Sequence, residues 1–186
     1  MLQIIAIVEL SVSWFFWGLA FWKPRKLAAG QKKVTSAPAS RWGIGLEVVA
    51  FALTWMYIRP VGFEKSTVSL LISMILFPPS VLLVWAATRH LGKQWRYEAA
   101  LSEDHELIQT GPYAFVRHPI YTSMLCMLLA TGAAWSWWPL FTAGVIFFLA
   151  GNEIRVRAED RLLSERFGSS FQAYRSRVSA YIPFIR

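Results

Sequence analysis

A stretch of 32 residues without a charged side chain, residues 120–151, constrains this chain more than any other feature. A membrane-spanning helix needs about 20 apolar residues, so an uncharged stretch of this length is typical of a protein that lies in a bilayer. The sequence Trp135-Ser-Trp-Trp-Pro139 interrupts the stretch and predicts a turn. We therefore expect a tight helical hairpin whose arms are short, tilted or extended by flanking residues.

Three further apolar runs precede this hairpin. They cover residues 2–22, 42–58 and 68–88, and Pro78-Pro79 in the third run predicts a kink. Hydrophobic residues make up 55% of the chain and charged residues 16%, whereas an ordinary soluble domain is about 25% charged. These features argue against a soluble globular enzyme. They predict an all-α integral membrane protein with about five transmembrane helices, arranged as a single membrane domain over residues 1–186.

The basic residues indicate how such a chain would be oriented. Of the 19 Lys and Arg residues, 17 fall in segments 23–41, 89–118 and 152–186, and only Arg59 and Lys65 fall on the alternate side. The positive-inside rule then predicts an N-terminus outside and a C-terminus in the cytoplasm, in the inner membrane if the cell is bacterial or archaeal. The net charge of +8 is therefore interpreted as membrane topology. We expect a bilayer as a partner, with no nucleic acid and no obligate protein partner.

The first polar segment, residues 89–121, ends in the sequence Gly111-Pro-Tyr-Ala-Phe-Val-Arg-His-Pro-Ile-Tyr121. Proline suits the first position of a helix, so Pro119 predicts a helix start directly after His118. Arg117, His118 and Tyr121 would then lie at the mouth of the hairpin. The alternative is that Arg117 and His118 only extend from the bilayer toward the interface.

The second polar segment, residues 152–163, is interpreted as a cytoplasmic extension of the last membrane helix. Residues four apart share a helix face, which applies to Arg155 with Glu159 and to Glu153 with Arg157. The alternative is a solvated helix that carries ordinary surface salt bridges.

Glu9 and Glu47 lie within apolar runs, where ionisable groups are costly and often functional. Glu47 lies near the predicted cytoplasmic end of its run, Glu9 could instead pair with a polar neighbour, and their roles stay open. The three histidines lack the spacing of zinc ligands, and one cysteine, Cys126, excludes a cysteine-rich metal centre. We expect no metal site.

The motif Gly111-Pro-Tyr-x-x-x-Arg117-His-Pro-x-Tyr121 resembles the signature of the isoprenylcysteine carboxyl methyltransferase family, in particular its compact prokaryotic branch. The family is related to the phospholipid methyltransferases. The resemblance continues upstream through Leu91-Gly-Lys-Gln-Trp95 and His105-Glu-Leu-Ile108, and it extends over residues 85–186. It implies a methyltransferase-like catalytic part in residues 89–186, which follows the three N-terminal spans that the apolar runs predict in residues 1–88.

The resemblance also implies a cofactor, S-adenosyl-L-methionine, in a pocket formed by the cytoplasmic loop and the C-terminal helix. Carried over position by position, it assigns cofactor binding to Glu98, His105, Glu106, Leu107, Ile108, Tyr113, His118, Pro119, Ile120, Tyr121 and Glu159. It assigns catalytic contact with the substrate to Arg155 and Arg117. The pair Glu159-Asp160 replaces the Glu-Glu common in the family, which leaves the role of Asp160 open.

The implied activity is methyl transfer to a lipophilic substrate, first of all to the carboxylate of an isoprenylcysteine-like group. A carboxylate nucleophile is ionised at neutral pH and needs no general base. The alternatives are a phospholipid or other lipid N-methyltransferase, a membrane reductase that uses NADPH, and a non-catalytic membrane scaffold. The sequence leaves the natural acceptor and the oligomeric state open.

Overall fold

The computed structural model describes residues 1–22, 33–58, 60–102 and 104–183. A two-stranded antiparallel sheet, formed by β1 and β2, is the only sheet within these ranges. The helices are α1 (Leu2–Leu19), α2 (Ser40–Trp55), α3 (Thr67–Leu91), α4 (Pro119–Ala134), α5 (Trp138–Phe167) and α6 (Ser169–Arg177), and the strands are β1 (Lys33–Ser36) and β2 (Ala100–Ser102). The prediction of an all-α architecture is therefore confirmed apart from this small sheet.

Within the part of the chain that the structure describes, three helical segments are long and apolar enough to cross a membrane: Leu2–Leu19, Thr67–Gln94 and Trp138–Phe167. Helices α2 and α4 have 16 residues each, or about 24 Å at about 1.5 Å per residue, against a hydrocarbon core of about 30 Å. The apolar helices thus indicate a membrane protein, and the number of five membrane-spanning helices stays a prediction. The predicted orientation also rests on basic residues 23–32 and on Arg59, which lie outside the described residues.

Helix ends follow local sequence signals. The Ser66 hydroxyl accepts a hydrogen bond from the Ser69 N–H (3.1 Å) and caps the start of α3. Pro119 begins α4, as predicted, because its fixed φ suits a first helical position. Gly168 separates α5 from α6 with a φ of 50°, a left-handed conformation that glycine adopts without a steric penalty. Helix α3 continues through Pro78-Pro79 as one element.

The helical hairpin is confirmed, but it is not tight. Helices α4 and α5 are joined at residues 135–137, yet α4 packs mainly along α3 and α5 mainly along α2. Side chains of the two arms still meet around Leu128 and Phe148. The hairpin therefore joins two helix pairs. The predicted cytoplasmic extension is also observed, because α5 runs without a break to Phe167.

Close contact between α2 and α5 depends on glycine. A Cβ atom on Gly43 would lie 2.5 Å from the Gly151 carbonyl oxygen, and one on Gly151 would lie 2.6 Å from the Gly43 oxygen. Small residues at such positions let two membrane helices approach each other closely. This approach places the Arg155 side chain beside α2, since its Cγ would also lie 2.5 Å from a Cβ on Gly43.

Helix α1 is attached to the bundle by tryptophan. The Trp14 indole N–H donates to the Thr131 hydroxyl (3.1 Å), and the Trp17 indole N–H donates to the Ser123 hydroxyl (2.8 Å). Inside the bilayer such hydrogen bonds replace those that water would make. Large side chains on the other face of α1 are exposed, among them Ile4 and Phe15. This face is suited to contact with lipid.

Candidate functional site

A cavity of about 940 Å3 lies among the C-terminal half of α1, the middle of α2, residues 91–124 and the C-terminal half of α5. Every residue to which the resemblance assigned a role lines it. These thirteen residues are Glu98, His105, Glu106, Leu107, Ile108, Tyr113, Arg117, His118, Pro119, Ile120, Tyr121, Arg155 and Glu159. The structure therefore brings the predicted site together, whereas the role of each residue stays a prediction.

The cavity has a second, apolar wall that the sequence analysis did not include. It comes from the N-terminal helices and from α4, whereas the prediction named the cytoplasmic loop and the C-terminal helix. Its main residues are Trp14, Trp17, Phe21, Ile44, Val48, Phe51 and Met124. Trp14 and Phe51 meet edge to face, with ring centroids 5.3 Å apart. They belong to the membrane-side limit of the cavity, because no residue before Trp14 on α1 or after Phe51 on α2 lines it.

The C-terminal segment holds the Arg-His-Pro motif in place. The N–H groups of Arg117 and His118 donate to the carbonyl oxygens of Ser179 and Ala180, both at 2.8 Å. The Tyr174 hydroxyl donates to the Tyr113 carbonyl oxygen (2.6 Å). These bonds fix the turn before α4, so the side chains of the motif face the cavity from a rigid backbone.

His118 lies between two carboxylates at the start of α4. Its Nε2 donates to Asp160 Oδ1 (2.9 Å) and its Nδ1 to Glu159 Oε2 (3.2 Å). Because carboxylates only accept hydrogen bonds, both ring nitrogens carry protons and the ring is an imidazolium. Burial opposes this charge, but the two hydrogen bonds outweigh it and raise the pKa of His118 above 6.5.

Arg117 and Asp160 complete this buried charge cluster. Arg117 Nη2 donates to Asp160 Oδ2 (2.9 Å), and Nη1 donates to the Val178 carbonyl oxygen. Both side chains are about nine-tenths buried. Asp160 therefore binds both Arg117 and His118, and these contacts indicate a structural role for its carboxylate. These contacts favour a positioning role for Arg117 over the predicted contact with substrate.

Glu159 presents its carboxylate to the cavity. The Tyr121 hydroxyl donates to Oε1, while His118 donates to Oε2. The Glu159 side chain is 28% exposed, in contrast to the buried Asp160 beside it. Glu159 is thus an anchored carboxylate, with its orientation set by two donors and part of its surface open to a ligand.

Arg155 does not pair with Glu159, although the two share a helix face as predicted. Its Nη1 donates to Glu47 Oε2 on α2 (2.5 Å), and its Nη2 donates to the Tyr97 carbonyl oxygen (2.9 Å). The guanidinium carbon lies 4.6 Å from the centroid of the Tyr121 ring. The alternative of an ordinary salt bridge between residues four apart on the helix applies instead to Glu153 and Arg157, since Arg157 Nε donates to Glu153 Oε1 (2.7 Å).

Other predicted cofactor residues line the cavity from the segment that precedes the Arg-His-Pro motif. Glu98 pairs with Arg41 of α2 (3.3 Å). The Glu106 N–H donates to Gln94 Oε1 (3.0 Å), which shapes the segment that carries Leu107 and Ile108. Residues 94–101 and 105–108 thus form one wall of the cavity.

His105 supplies an unsatisfied buried atom on this wall. Its Nδ1 is buried and has no hydrogen-bond partner among the residues that the structure describes. Burial is the main cause that lowers the pKa of His105 to about 4, with a further contribution from Arg96. His105 is therefore neutral at pH 7 and offers a ligand an uncharged hydrogen-bonding ring.

The lowered pKa of His105 predicts a pH dependence of stability. The folded-state pKa of about 4 lies below the unfolded value of about 6.5, so the neutral ring contributes stability above pH 6.5 that is lost as the pH falls toward 4. We expect His105→Gln to reduce this loss in thermal unfolding curves of the purified protein between pH 6.5 and 4. The exposed His90→Gln is the matched control, and equal pH slopes in both variants would contradict the assignment.

Sequence reasoning did not find all residues of the site. Glu47 carried a signal, because a carboxylate in an apolar run needs a partner, but the sequence did not identify that partner as Arg155. Gln94 carried no signal of its own within the motif around it. The tryptophans that line the cavity could not be told apart from the others, since the chain has ten.

Comparison with known proteins agrees with the motif. Residues 70–165 match the model of the isoprenylcysteine carboxyl methyltransferase (ICMT) family. Methanethiol S-methyltransferase 1 of Bradyrhizobium diazoefficiens is 40% identical over 78 residues, which cover 40% of this chain and 25% of that protein. Protein-S-isoprenylcysteine O-methyltransferase of Schizosaccharomyces pombe is 32% identical over 87 residues, which cover 45% of this chain and 36% of that protein.

A metal-resistance protein is also similar. The cobalt-zinc-cadmium resistance protein CzcN of Cupriavidus metallidurans is 26% identical over 147 residues, which cover 77% of this chain and 63% of that protein. The matched regions thus span about a quarter to a third of the two methyltransferases and just under two thirds of CzcN. The family match covers more than half of the chain and includes Arg117, His118, Tyr121, Arg155 and Glu159. This chain belongs to the isoprenylcysteine carboxyl methyltransferase family.

Proposed function

We propose that the chain is a membrane methyltransferase that uses S-adenosyl-L-methionine and methylates a lipophilic acceptor. The observation that carries the proposal is the anchored Glu159 carboxylate, which faces a cavity whose other wall is aromatic. A cavity of about 940 Å3 is at the upper end of the range of about 300–1,000 Å3 for small-molecule sites. Family membership and the methyltransferases among its relatives support the same activity.

The residues of the cavity fit this cofactor. S-adenosylmethionine carries a sulfonium and an ammonium charge, and Glu159 offers a carboxylate that is already oriented by Tyr121 and His118. The buried Nδ1 of the neutral His105 offers a hydrogen bond that no described residue takes up. When bound, the cofactor would supply an electrophilic methyl group.

The task of the chain is then to align an acceptor. Arg155 has donors left after its bonds to Glu47 and Tyr97, since a guanidinium has five N–H groups. It can orient an acceptor carboxylate beside Glu159. The hydrogen-bonded backbone at Arg117 and His118 fixes the positions of Tyr121 and of the His118 ring, which both bind Glu159. Alignment of the reacting groups is a large part of the catalysis of a displacement reaction.

We propose the carboxylate of an isoprenylcysteine-like molecule as the first acceptor to test. Trp14, Trp17 and Phe51 provide an apolar surface for its lipophilic part, close to Arg155. Many residues that line the cavity belong to the predicted cytoplasmic segments 89–118 and 152–186, which suits the proposed cytoplasmic side.

The test is a titration of the detergent-purified protein with S-adenosylmethionine, S-adenosylhomocysteine and NADPH by calorimetry. We expect saturable binding of the first two and none of NADPH. Methyl transfer from labelled S-adenosylmethionine to prenylcysteine carboxylates or to phospholipid amines would then identify the acceptor class. Binding of NADPH alone would favour a reductase, and folded protein that binds none of the three would favour a scaffold.

A further inference from the structure

Glu47 is the one acidic side chain of α2, and it meets Arg155 across the interface of α2 and α5. Glu47 and Arg155 side chains are 4% and 9% exposed, and both line the cavity. They are 108 residues apart in the sequence. A buried charge pair is costly to form and more costly to break, so such a pair in a membrane protein indicates a function beyond stability.

The pair sets the charge that Arg155 presents. The neighbouring cations at this wall have carboxylates of their own, because Arg117 contacts Asp160 and His118 contacts both Asp160 and Glu159. Glu47 is the carboxylate that pairs with Arg155, with a contact of 2.5 Å. An acceptor that reaches Arg155 therefore meets a guanidinium whose charge is largely compensated but which still has free donors.

This compensation has a consequence for an acceptor carboxylate. An uncompensated guanidinium in a site of low dielectric binds a carboxylate tightly and withdraws its electron density. In methyl transfer a carboxylate oxygen forms the bond to the methyl carbon, the carbon–sulfur bond breaks with its electron pair staying on sulfur, and no proton is released. Strong binding of that oxygen opposes the reaction.

We propose that Glu47 is a positioning residue that tunes Arg155. It holds the guanidinium beside Tyr121 and takes up part of its charge, so that Arg155 orients an anionic acceptor without binding it too strongly. This inference rests on the proposed function. Glu47, which lies on α2 and outside the Arg-His-Pro motif, would then determine how strongly the site prefers a charged acceptor over an uncharged one.

The decisive variant is Glu47→Gln, which retains a hydrogen-bond acceptor for Arg155 and removes the charge. With S-adenosylhomocysteine at saturation, the Kd values of N-acetyl-S-geranylcysteine and of its uncharged carboxamide are measured for each protein. We expect the variant to raise the preference for the carboxylate about tenfold, a change within the range of measured coupling energies between contacting residues. In turnover, both kcat and KM for the carboxylate should fall, a pattern that simple misfolding does not produce.

A double-mutant cycle shows whether Glu47 acts through Arg155. In an Arg155→Gln background the effect of Glu47→Gln on the preference should shrink to less than about twofold. Glu165→Gln is the matched control, since Glu165 forms an exposed ion pair with Arg161 on the same helix as Arg155. If Glu47→Gln does not fold, Glu47→Asp replaces it, and its longer contact to Arg155 should raise the preference by an intermediate amount.

The outcomes separate this inference from the proposed function. If the native chain does not bind S-adenosylhomocysteine, the proposed function fails and the inference fails with it. If the native chain and a folded Glu47 variant bind S-adenosylhomocysteine equally but show the same preference, the role of Glu47 is overturned and the proposed function stands. The role of Glu47 is also overturned, and the proposed function also stands, if neither protein binds the carboxylate.

Discussion

Replacement of Glu159 by glutamine is expected to weaken binding of S-adenosylmethionine about tenfold to a hundredfold. A hydrogen bond to a charged group is worth about 1.5–3 kcal/mol, and about 1.4 kcal/mol corresponds to a tenfold change in affinity. Glu159 is the carboxylate of the cluster that remains partly exposed to the cavity. Its charge is therefore the one that a cationic ligand would meet.

The same substitution should leave the protein folded. A glutamine oxygen can still accept from the Tyr121 hydroxyl, and Asp160 continues to hold His118 and Arg117. Calorimetric titration of the variant and the native chain measures the loss. A greater loss for S-adenosylmethionine than for S-adenosylhomocysteine, which lacks the sulfonium charge, would assign Glu159 to the sulfonium.

Glu153→Gln is the control for this measurement. Glu153 lies on the same helix, and its partner Arg157 is exposed, so the substitution removes one negative charge away from the cavity. It should leave both affinities within about twofold of the native values, since Glu153 is not among the residues that line the cavity. Equal affinities of Glu159→Gln and the native chain would remove Glu159 from the cofactor site.

Much of the fold could be predicted because membrane helices leave a local signal. The uncharged stretch of residues 120–151 predicted two helices with a turn at Trp135, and residues 152–163 predicted the extension of α5; the structure confirms both. The packing of these helices could not be predicted. Apolar patterning shows that a helix is buried but not which neighbour buries it, so the pairing of α5 with α2 appears only in the structure.

Part of the candidate site could likewise be predicted from the sequence and part could not. The Arg-His-Pro motif predicted the wall from Tyr113 to Tyr121, and the family match confirms the resemblance that the motif carries. The match begins at residue 70, earlier than the predicted residue 85, and ends at residue 165. The partner of Arg155 was missed because sequence spacing indicates contacts within a helix, whereas Glu47 reaches Arg155 through the contact of Gly43 with Gly151.

Replacement of Arg155 by alanine is expected to reduce turnover about a hundredfold or more while changing the affinity for S-adenosylhomocysteine only about twofold. Arg155 lines the cavity, has donors left after its bonds to Glu47 and Tyr97, and lies against the Tyr121 ring. Arg155 aligns the acceptor in this proposal, and misplacement of a reacting group by about 1 Å can cost about a hundredfold in rate. Single-turnover methyl transfer and calorimetry on the same preparation measure the two quantities.

The alanine variant also leaves Glu47 buried without its partner, which costs about 3–5 kcal/mol when a buried pair is broken. The double variant Glu47→Gln with Arg155→Gln controls for this effect, because it contains no unpaired charge at this interface. If Arg155 acts on the acceptor, the double variant binds S-adenosylhomocysteine like the native chain and still fails to turn over. If instead cofactor affinity falls and turnover at saturating cofactor recovers, Arg155 belongs to the cofactor site, and the acceptor must be oriented by another residue of the cavity.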